Sequence, residues 1–181
     1  MTAVRKVVAG LFISLDGVVE APETWHFPYM NDEMGAALGG MYAEADTLLF
    51  GRVTYEAFAA VWPGQSGEVA DVINGVPKLV ASTTLREPGW NNASVIDGEV
   101  IAAVQDLKGQ EGGNINLAGS ISVTRALLAA GLLDELRLLV HPLVLGTGQR
   151  LFPEGSNRVP LTLTASTTFS TGVIDATYRP A

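Results

Sequence analysis

Leu48-Leu49-Phe50-Gly51-Arg52-Val53-Thr54-Tyr55-Glu56 compresses a strand end, a turn and a helix start into nine residues. Thr47 to Phe50 reads as a short strand that stops at Gly51, and Val53 to Val61 as a helix closed by Pro63-Gly64. Asn116-Leu117-Ala118-Gly119-Ser120-Ile121-Ser122 repeats the design, with a strand over Ile115 to Ala118 and a helix over Ile121 to Ala130. A helix that begins where a strand ends presents free N–H groups and a partial positive charge there. Such a corner accepts an anion, and glycine lets the anion approach the backbone.

The alternation extends outward from both corners. Val4 to Ser14 reads as a buried strand, broken by Asp16-Gly17. Glu20 to Asn31 carries prolines and aromatics and reads as a loop. Asp32 to Glu44 is helical, with Met34, Ala37, Leu38 and Met41 at i, i+3, i+4 and i+7. Gly64 to Gly75 reads as a mobile loop. Lys78 to Ser82 and Ala93 to Ile96 are strands, and Asp97 can cap a helix that runs to Lys108. Leu136 to Leu145 is a long apolar strand. Leu161 to Phe169 and Val173 to Tyr178 alternate around a Gly-containing turn, which predicts an antiparallel hairpin. The pattern predicts an α/β fold: a mixed, mostly parallel sheet with helices on both faces and a C-terminal antiparallel hairpin. Residues 1–181 read as one domain.

Composition narrows the function classes. The chain has no cysteine, which excludes disulfides, thiolate metal sites and a cysteine nucleophile. Its formal net charge of −8 argues against nucleic acid or an anionic membrane as partner. No apolar run is long enough to cross a bilayer, and Met1 to Ser14 lacks the features of a full signal peptide, so a cytoplasmic protein is expected. His26 and His141 are the only histidines, so no metal site is expected. Gly146-Thr147-Gly148-Gln149-Arg150-Leu151 begins like a dinucleotide fingerprint but lacks its third glycine and its βαβ setting.

In open α/β sheets, ligands bind beyond the carboxyl ends of the strands. Two corners there suit the phosphates of a dinucleotide. Gly51 gives access, Arg52 a forked guanidinium and Thr54 a hydroxyl. Ser82-Thr83-Thr84 ends a third strand and adds three hydroxyls that suit a ribose phosphate. Each element also has a plainer reading. Gly51 can be a tight turn, Arg52 a solvated residue, Ser120 a helix cap, and Ser82 to Thr84 a polar loop start.

Gly51-Arg52-x-Thr54-Tyr55-Glu56 resembles a segment of dihydrofolate reductases, and Lys78-Leu79-Val80-Ala81-Ser82-Thr83 resembles their next strand. The likeness to the RibD C-terminal domain is closer. It rests on Ser14-Leu15-Asp16-Gly17, on Leu127-Leu128-x-x-Gly131-Leu132-x-Asp134-Glu135-Leu136 and on Pro142-x-x-x-Gly146-x-Gly148-x-x-Leu151-Phe152. The resemblance implies a dihydrofolate-reductase-like fold that binds NADPH. By that likeness Arg52 and Ser82, with Thr83, would hold the 2′-phosphate, and Thr84 is a further cofactor-binding candidate. Thr54 and the amides of Gly119 and Ser120 would hold the pyrophosphate, with Ile121 a further cofactor-binding candidate. The backbone of Leu11 and Phe12 would meet the nicotinamide, and Asp16 to Val19 would begin a covering loop. Two positions depart from the dihydrofolate reductase pattern. The acidic residue expected five positions after the tryptophan is Met30, with Asp32 two further on, and the threonine that partners it falls near Leu139.

The expected activity is NADPH-dependent hydride transfer to a small heterocyclic (pterin- or pyrimidine-like) or carbonyl substrate. A non-catalytic nucleotide-binding module of the same fold is the alternative. The candidate catalytic residues are Asp16, Asp32 and Trp25, and the candidate proton donors among the polar residues are Asp16, Asp32 and His26. Phe12, Trp25, Phe27 and Tyr29 can wall an apolar pocket or simply pack. Asp16 can instead serve the Asp-Gly turn, and Asp32 can cap the helix that follows it. A homodimer is implied by the resemblance, with the strand Leu136 to Leu145 either part of its interface or a buried central strand.

Overall fold

The structure, a computed structural model, describes residues 4–181. Its most apolar strand, β1 (Val7–Ser14), takes the middle of the sheet, where both faces are covered. The other strands are β2 (Ala45–Gly51), β3 (Lys78–Ala81), β4 (Ala93–Val95), β5 (Asn114–Ala118), β6 (Glu135–His141), β7 (Leu161–Thr168) and β8 (Ile174–Pro180). The helices are α1 (Asp32–Ala43), α2 (Arg52–Val61), α3 (Glu68–Gly75), α4 (Val100–Lys108) and α5 (Ile121–Ala129). The strands form one sheet in the order β4-β3-β2-β5-β1-β6-β8-β7. Pairing is parallel from β4 through β6, and the β6-β8-β7 end is antiparallel.

The period-2 alternation of each strand sends its side chains to two cores. Val7, Ala9, Leu11 and Ile13 of β1 pack with Ile115, Leu117, Val104, Val123 and Leu127 beneath α4 and α5. Leu48 and Phe50 of β2 pack with Met41, Tyr42, Tyr55 and Ile73 beneath α1, α2 and α3. The helices therefore cover both faces. Gly10 lies where α1 approaches most closely: a Cβ there would stand 2.6 Å from Met41 Sδ. Among the described residues, no helix is long and apolar enough to cross a membrane.

Several boundaries differ from the sequence reading. Residues 68–75, expected as mobile loop, form α3, because Ala70 and Ile73 bury a one-sided apolar face under β2 and β3. The helix expected from Asp97 starts at Val100. Gly98 sits at φ +91, and the N-cap position is Glu99, without a side-chain cap. The strand Leu136 to Leu145 ends at His141, before Pro142, which cannot donate to a ladder. It pairs on both sides, with β1 and β8, so its apolar character reflects a central strand and not an interface. The first strand begins at Val7, three residues later than expected. The guanidinium of Arg5, which is 5% exposed, turns aside to Asp46, Thr47 and the Gly113 carbonyl. The loop Glu20 to Asn31 contains short 3-10 turns at Pro22–Thr24 and Phe27–Tyr29.

Candidate functional site

The two glycine corners are neighbours because β2 pairs with β5. Their contact is direct. The buried Ser120 Oγ accepts the Gly51 N–H at 2.9 Å. Ser120 occupies the N-cap position of α5, but its side chain does not cap that helix; the expected cap is replaced by a tie between corners. Gly51, at the N-cap of α2, offers no side chain to cap with. Both helices thus begin with first-turn N–H groups that lack a side-chain acceptor. Gly119 sits at φ +64, a conformation that favours glycine, and a Cβ there would lie 3.6 Å from Thr54 Cγ2. Thr54 and Gly119 therefore face each other across the gap between the helix starts.

The remaining cofactor candidates extend this line. β3 runs beside β2 with Gly51 opposite Ala81, which puts Ser82, Thr83 and Thr84 next to the Arg52 corner. Ser82 Oγ accepts the N–H groups of Thr84 and Leu85 at 3.2 and 2.9 Å and so shapes this turn, while Thr83 and Thr84 are exposed. Arg52 is exposed, and its Nη1 donates to Glu56 Oε2 at 2.9 Å, one helical turn on. Such a surface pair contributes only about 0.3–0.5 kcal/mol, so it yields readily to a stronger anion. On the far side of β5, Leu11 is buried in the core and offers backbone, while Phe12 faces α1 and is half-buried. Ile121 is half-buried in the first turn of α5.

The catalytic candidates are not brought together. Asp16 is a clamp. Its Oδ1 accepts from Ser14 Oγ at 2.6 Å and from the Leu145 N–H at 3.1 Å, and its Oδ2 accepts from the Gly146 N–H at 2.8 Å. These bonds, led by the Ser14 hydroxyl, hold its pKa down to about 2, so it carries no proton at neutral pH. The clamp joins the loop after β1 to the loop after β6. Val18 bridges Arg150, Val19 N–H donates to the Gln149 carbonyl at 2.9 Å, and Gln149 N–H donates to Glu20 Oε2 at 2.9 Å. Asp32 is exposed in the first turn of α1. The cap of α1 is Asn31, whose Oδ1 accepts the Met34 N–H at 3.0 Å, so the capping role read for Asp32 belongs to its neighbour. Trp25 is buried, and its Nε1 donates to the Glu20 carbonyl at 3.0 Å. Trp25 thus walls an aromatic enclosure.

That enclosure holds both histidines. His141 ends β6, fully buried, with its ring edge-on to Phe12, Trp25 and Tyr29 at centroid distances of 5.5, 5.1 and 5.3 Å. His26 is sandwiched between Phe12 at 4.4 Å and Phe27 at 4.2 Å. Sequence reasoning named His26 but missed His141, because only the fold brings the end of β6 beside the loop after β1. Burial pushes both imidazoles below the usual histidine range. For His26 the neighbouring His141 adds to the depression and Glu23 opposes it; for His141 the Leu139 and Ile13 carbonyls oppose it.

A mixed, mostly parallel sheet in this order defines a dihydrofolate-reductase-like fold. Residues 5–174 match the RibD C-terminal domain, and the chain belongs to that family. It is 30% identical over 183 residues to the uncharacterized protein YyaP of Bacillus subtilis (strain 168), spanning 97% of this chain and 95% of that one. Among solved structures, a pyrimidine reductase-like protein from Corynebacterium diphtheriae NCTC superposes with a TM-score of 0.70 at 15% identity, covering 98% of this chain and 92% of that one. Dihydrofolate reductase from Enterococcus faecalis, complexed with NADP(H) and RAB-propyl, superposes with a TM-score of 0.65 at 16% identity, covering 99% of both chains. These likenesses show the fold.

Proposed function

We propose that this protein is an NADPH-dependent reductase that transfers hydride to a small heterocyclic (pterin- or pyrimidine-like) or carbonyl substrate. One observation carries the reading: the cofactor candidates lie on four successive strands, at the carboxyl ends of β3, β2 and β5 and, on β1, at Leu11 and Phe12, just past Gly10, which pairs with the last residue of β5. At a strand spacing of about 4.8 Å, three intervals extend roughly 14 Å, enough for ribose phosphate, pyrophosphate and nicotinamide to take successive places. Arg52 with Ser82, Thr83 and Thr84 would hold the 2′-phosphate. Thr54 and the amides of Gly119, Ser120 and Ile121 would hold the pyrophosphate, and the backbone of Leu11 and Phe12 would meet the nicotinamide. The uncapped starts of α2 and α5 fit that role, since a phosphate supplies the acceptors their first turns lack.

When bound, NADPH supplies the hydride, and the protein orients its ring and excludes water. Phe12, Trp25 and Tyr29 exclude water on the α1 side. Asp16 keeps the covering loop against the Gly146 to Leu151 segment. The name of the Corynebacterium diphtheriae neighbour and the NADP(H) in the Enterococcus faecalis complex support a reductase of this class. We further propose that the chain acts as a single domain and pairs as a homodimer.

Fluorescence titration with NADPH and NADH tests the cofactor site. A charge-assisted hydrogen bond from Arg52 contributes about 1.5–3 kcal/mol. Arg52→Ala should therefore weaken NADPH binding roughly ten- to hundred-fold and leave NADH unchanged. Equal affinity for the two cofactors, indifferent to Arg52→Ala, would exclude this phosphate site. A non-catalytic nucleotide-binding module predicts the same titration but no NADPH oxidation with any pterin, pyrimidine, quinone or dicarbonyl.

A further inference from the structure

The chain has two histidines, 115 residues apart in sequence, and the fold places their rings in one aromatic enclosure with centroids 6.4 Å apart. Each leaves a nitrogen unsatisfied. His26 Nδ1 and His141 Nε2 are buried and have no hydrogen-bond partner among the described residues. His141 is 0% exposed and His26 is 9% exposed. Leaving a buried polar atom without a partner is costly, and two in one enclosure call for a function.

The tautomer of His141 follows from its bonding. Its Nδ1 lies 2.8 Å from the Leu139 carbonyl, which can only accept, so Nδ1 carries the proton. In the neutral ring Nε2 is then a bare acceptor; in the imidazolium it is a donor. His26 rides on the segment of two short 3-10 turns that also carries Trp25 and Tyr29. Trp25, His26 and Tyr29 of that one segment all pack against the His141 ring. Both histidine rings pack against Phe12, whose backbone is assigned above to the nicotinamide. Neither Asp16, saturated by the loop after β6, nor the exposed Asp32 offers a proton there.

We propose that His26 and His141 form the substrate-side polar contact of the site, binding the heteroatom of the C=O or C=N group that is reduced and supplying its proton. The assignment rests on the reductase reading above. In the step, hydride from NADPH C4 adds to the carbon and the π pair moves to the heteroatom. That atom takes a proton from the imidazolium N–H. The products are NADP+, the reduced substrate and a neutral imidazole, which solvent reprotonates. Each ring disfavours a proton on the other. Of the acidic groups around them, Glu23 acts on His26; Tyr29 meets His141 through its ring edge.

Two histidines give two resolvable sets of ring signals in nitrogen NMR, which makes the test direct. NADPH binding is first confirmed by fluorescence. The NADP+ complex of 15N-labelled protein is then titrated with 7,8-dihydrobiopterin, 5,6-diaminouracil and 2,3-butanedione, and NADPH oxidation is followed with each. The expected result is that a probe that is turned over shifts the His26 Nδ1 and His141 Nε2 signals. His26→Gln and His141→Gln should then lower kcat about a hundredfold, with KM and NADPH affinity changed by less than about threefold. Each variant should also lose the fall in rate with rising pH. Because His141 is in the core, His26→Ala, on the outer segment, serves as the second variant. NADPH binding with neither ring shifted by any probe overturns the assignment and leaves the cofactor site standing. So does a turned-over probe whose rate and pH profile survive all the variants. Failure to bind NADPH removes the reductase reading, and this assignment with it.

Discussion

Asp16 and Ser120 show how single side chains can mimic a functional signal. Asp16 looked like a proton donor, yet its carboxylate is filled by Ser14, Leu145 and Gly146. Its folded pKa lies below that of the unfolded chain, so its contribution to stability is present above about pH 4 and is lost as pH falls toward about 2. Asp16→Asn should accordingly speed amide exchange at Leu145 and Gly146 at neutral pH and flatten that acid limb, both readable by hydrogen exchange and by thermal melts. Ser120 looked like a cap but reaches sideways to Gly51. Ser120→Ala strands that N–H and should lower the unfolding free energy by about 1–3 kcal/mol in urea titrations. At this scale the sequence shows residue type and local spacing. It does not show which neighbour, 69 positions away in the case of Ser120 and Gly51, claims the hydroxyl.

Among elements, the loops after β1 and β6 depend on one glycine. Gly148 sits at φ +112, and a Cβ there would stand 2.7 Å from Val18 Cγ1. Gly148→Ala should cost about 1–3 kcal/mol and release the Val18–Arg150 bridge, visible as faster exchange of the Val19 amide. Lys78 does comparable work between α3 and β3. It is fully buried, and its Nζ donates to the carbonyls of Asn74, Val76 and Asn91 at 2.9, 2.9 and 3.0 Å. Burial pushes its pKa down to about 8. Between about pH 8 and pH 10 the unfolded chain binds the extra proton, so wild-type stability should rise across that window relative to Lys78→Met. Urea midpoints at several pH values would show it. Strand ends at Gly51 and Gly119 were legible because glycine punctuates locally. The helix over Glu68–Gly75 was hidden by the glycines around it, and its apolar face gains meaning only from β2 and β3. Lys78 read as an ordinary strand start, since nothing nearby in sequence announces three converging carbonyls.

For the whole molecule, the parallel sheet and its closing hairpin followed from alternation and turn residues, whereas the histidine enclosure needed the strand order. That order also leaves an edge. β7 is one of the two edge strands, the longer one, exposed along nearly its whole length, and its sequence Leu-Thr-Leu-Thr-Ala-Ser-Thr-Thr carries no charge. An uncharged edge of this kind invites pairing with another strand, and in a chain of net charge −8 it is a favourable place for two copies to meet. Light scattering should give twice the monomer mass for the homodimer proposed above, and Leu163→Lys should halve it; a wild-type monomer would reject that pairing. The bond from Gly51 to Ser120 has a last implication at this scale. Because one hydroxyl fixes the gap between the two helix starts proposed to hold phosphates, their separation is settled when the chain folds, and the entropy of aligning them is not lost again on association. For any ligand held at both, the molecule is a ruler: it sorts candidates by the distance between their charged groups before any ring is inspected.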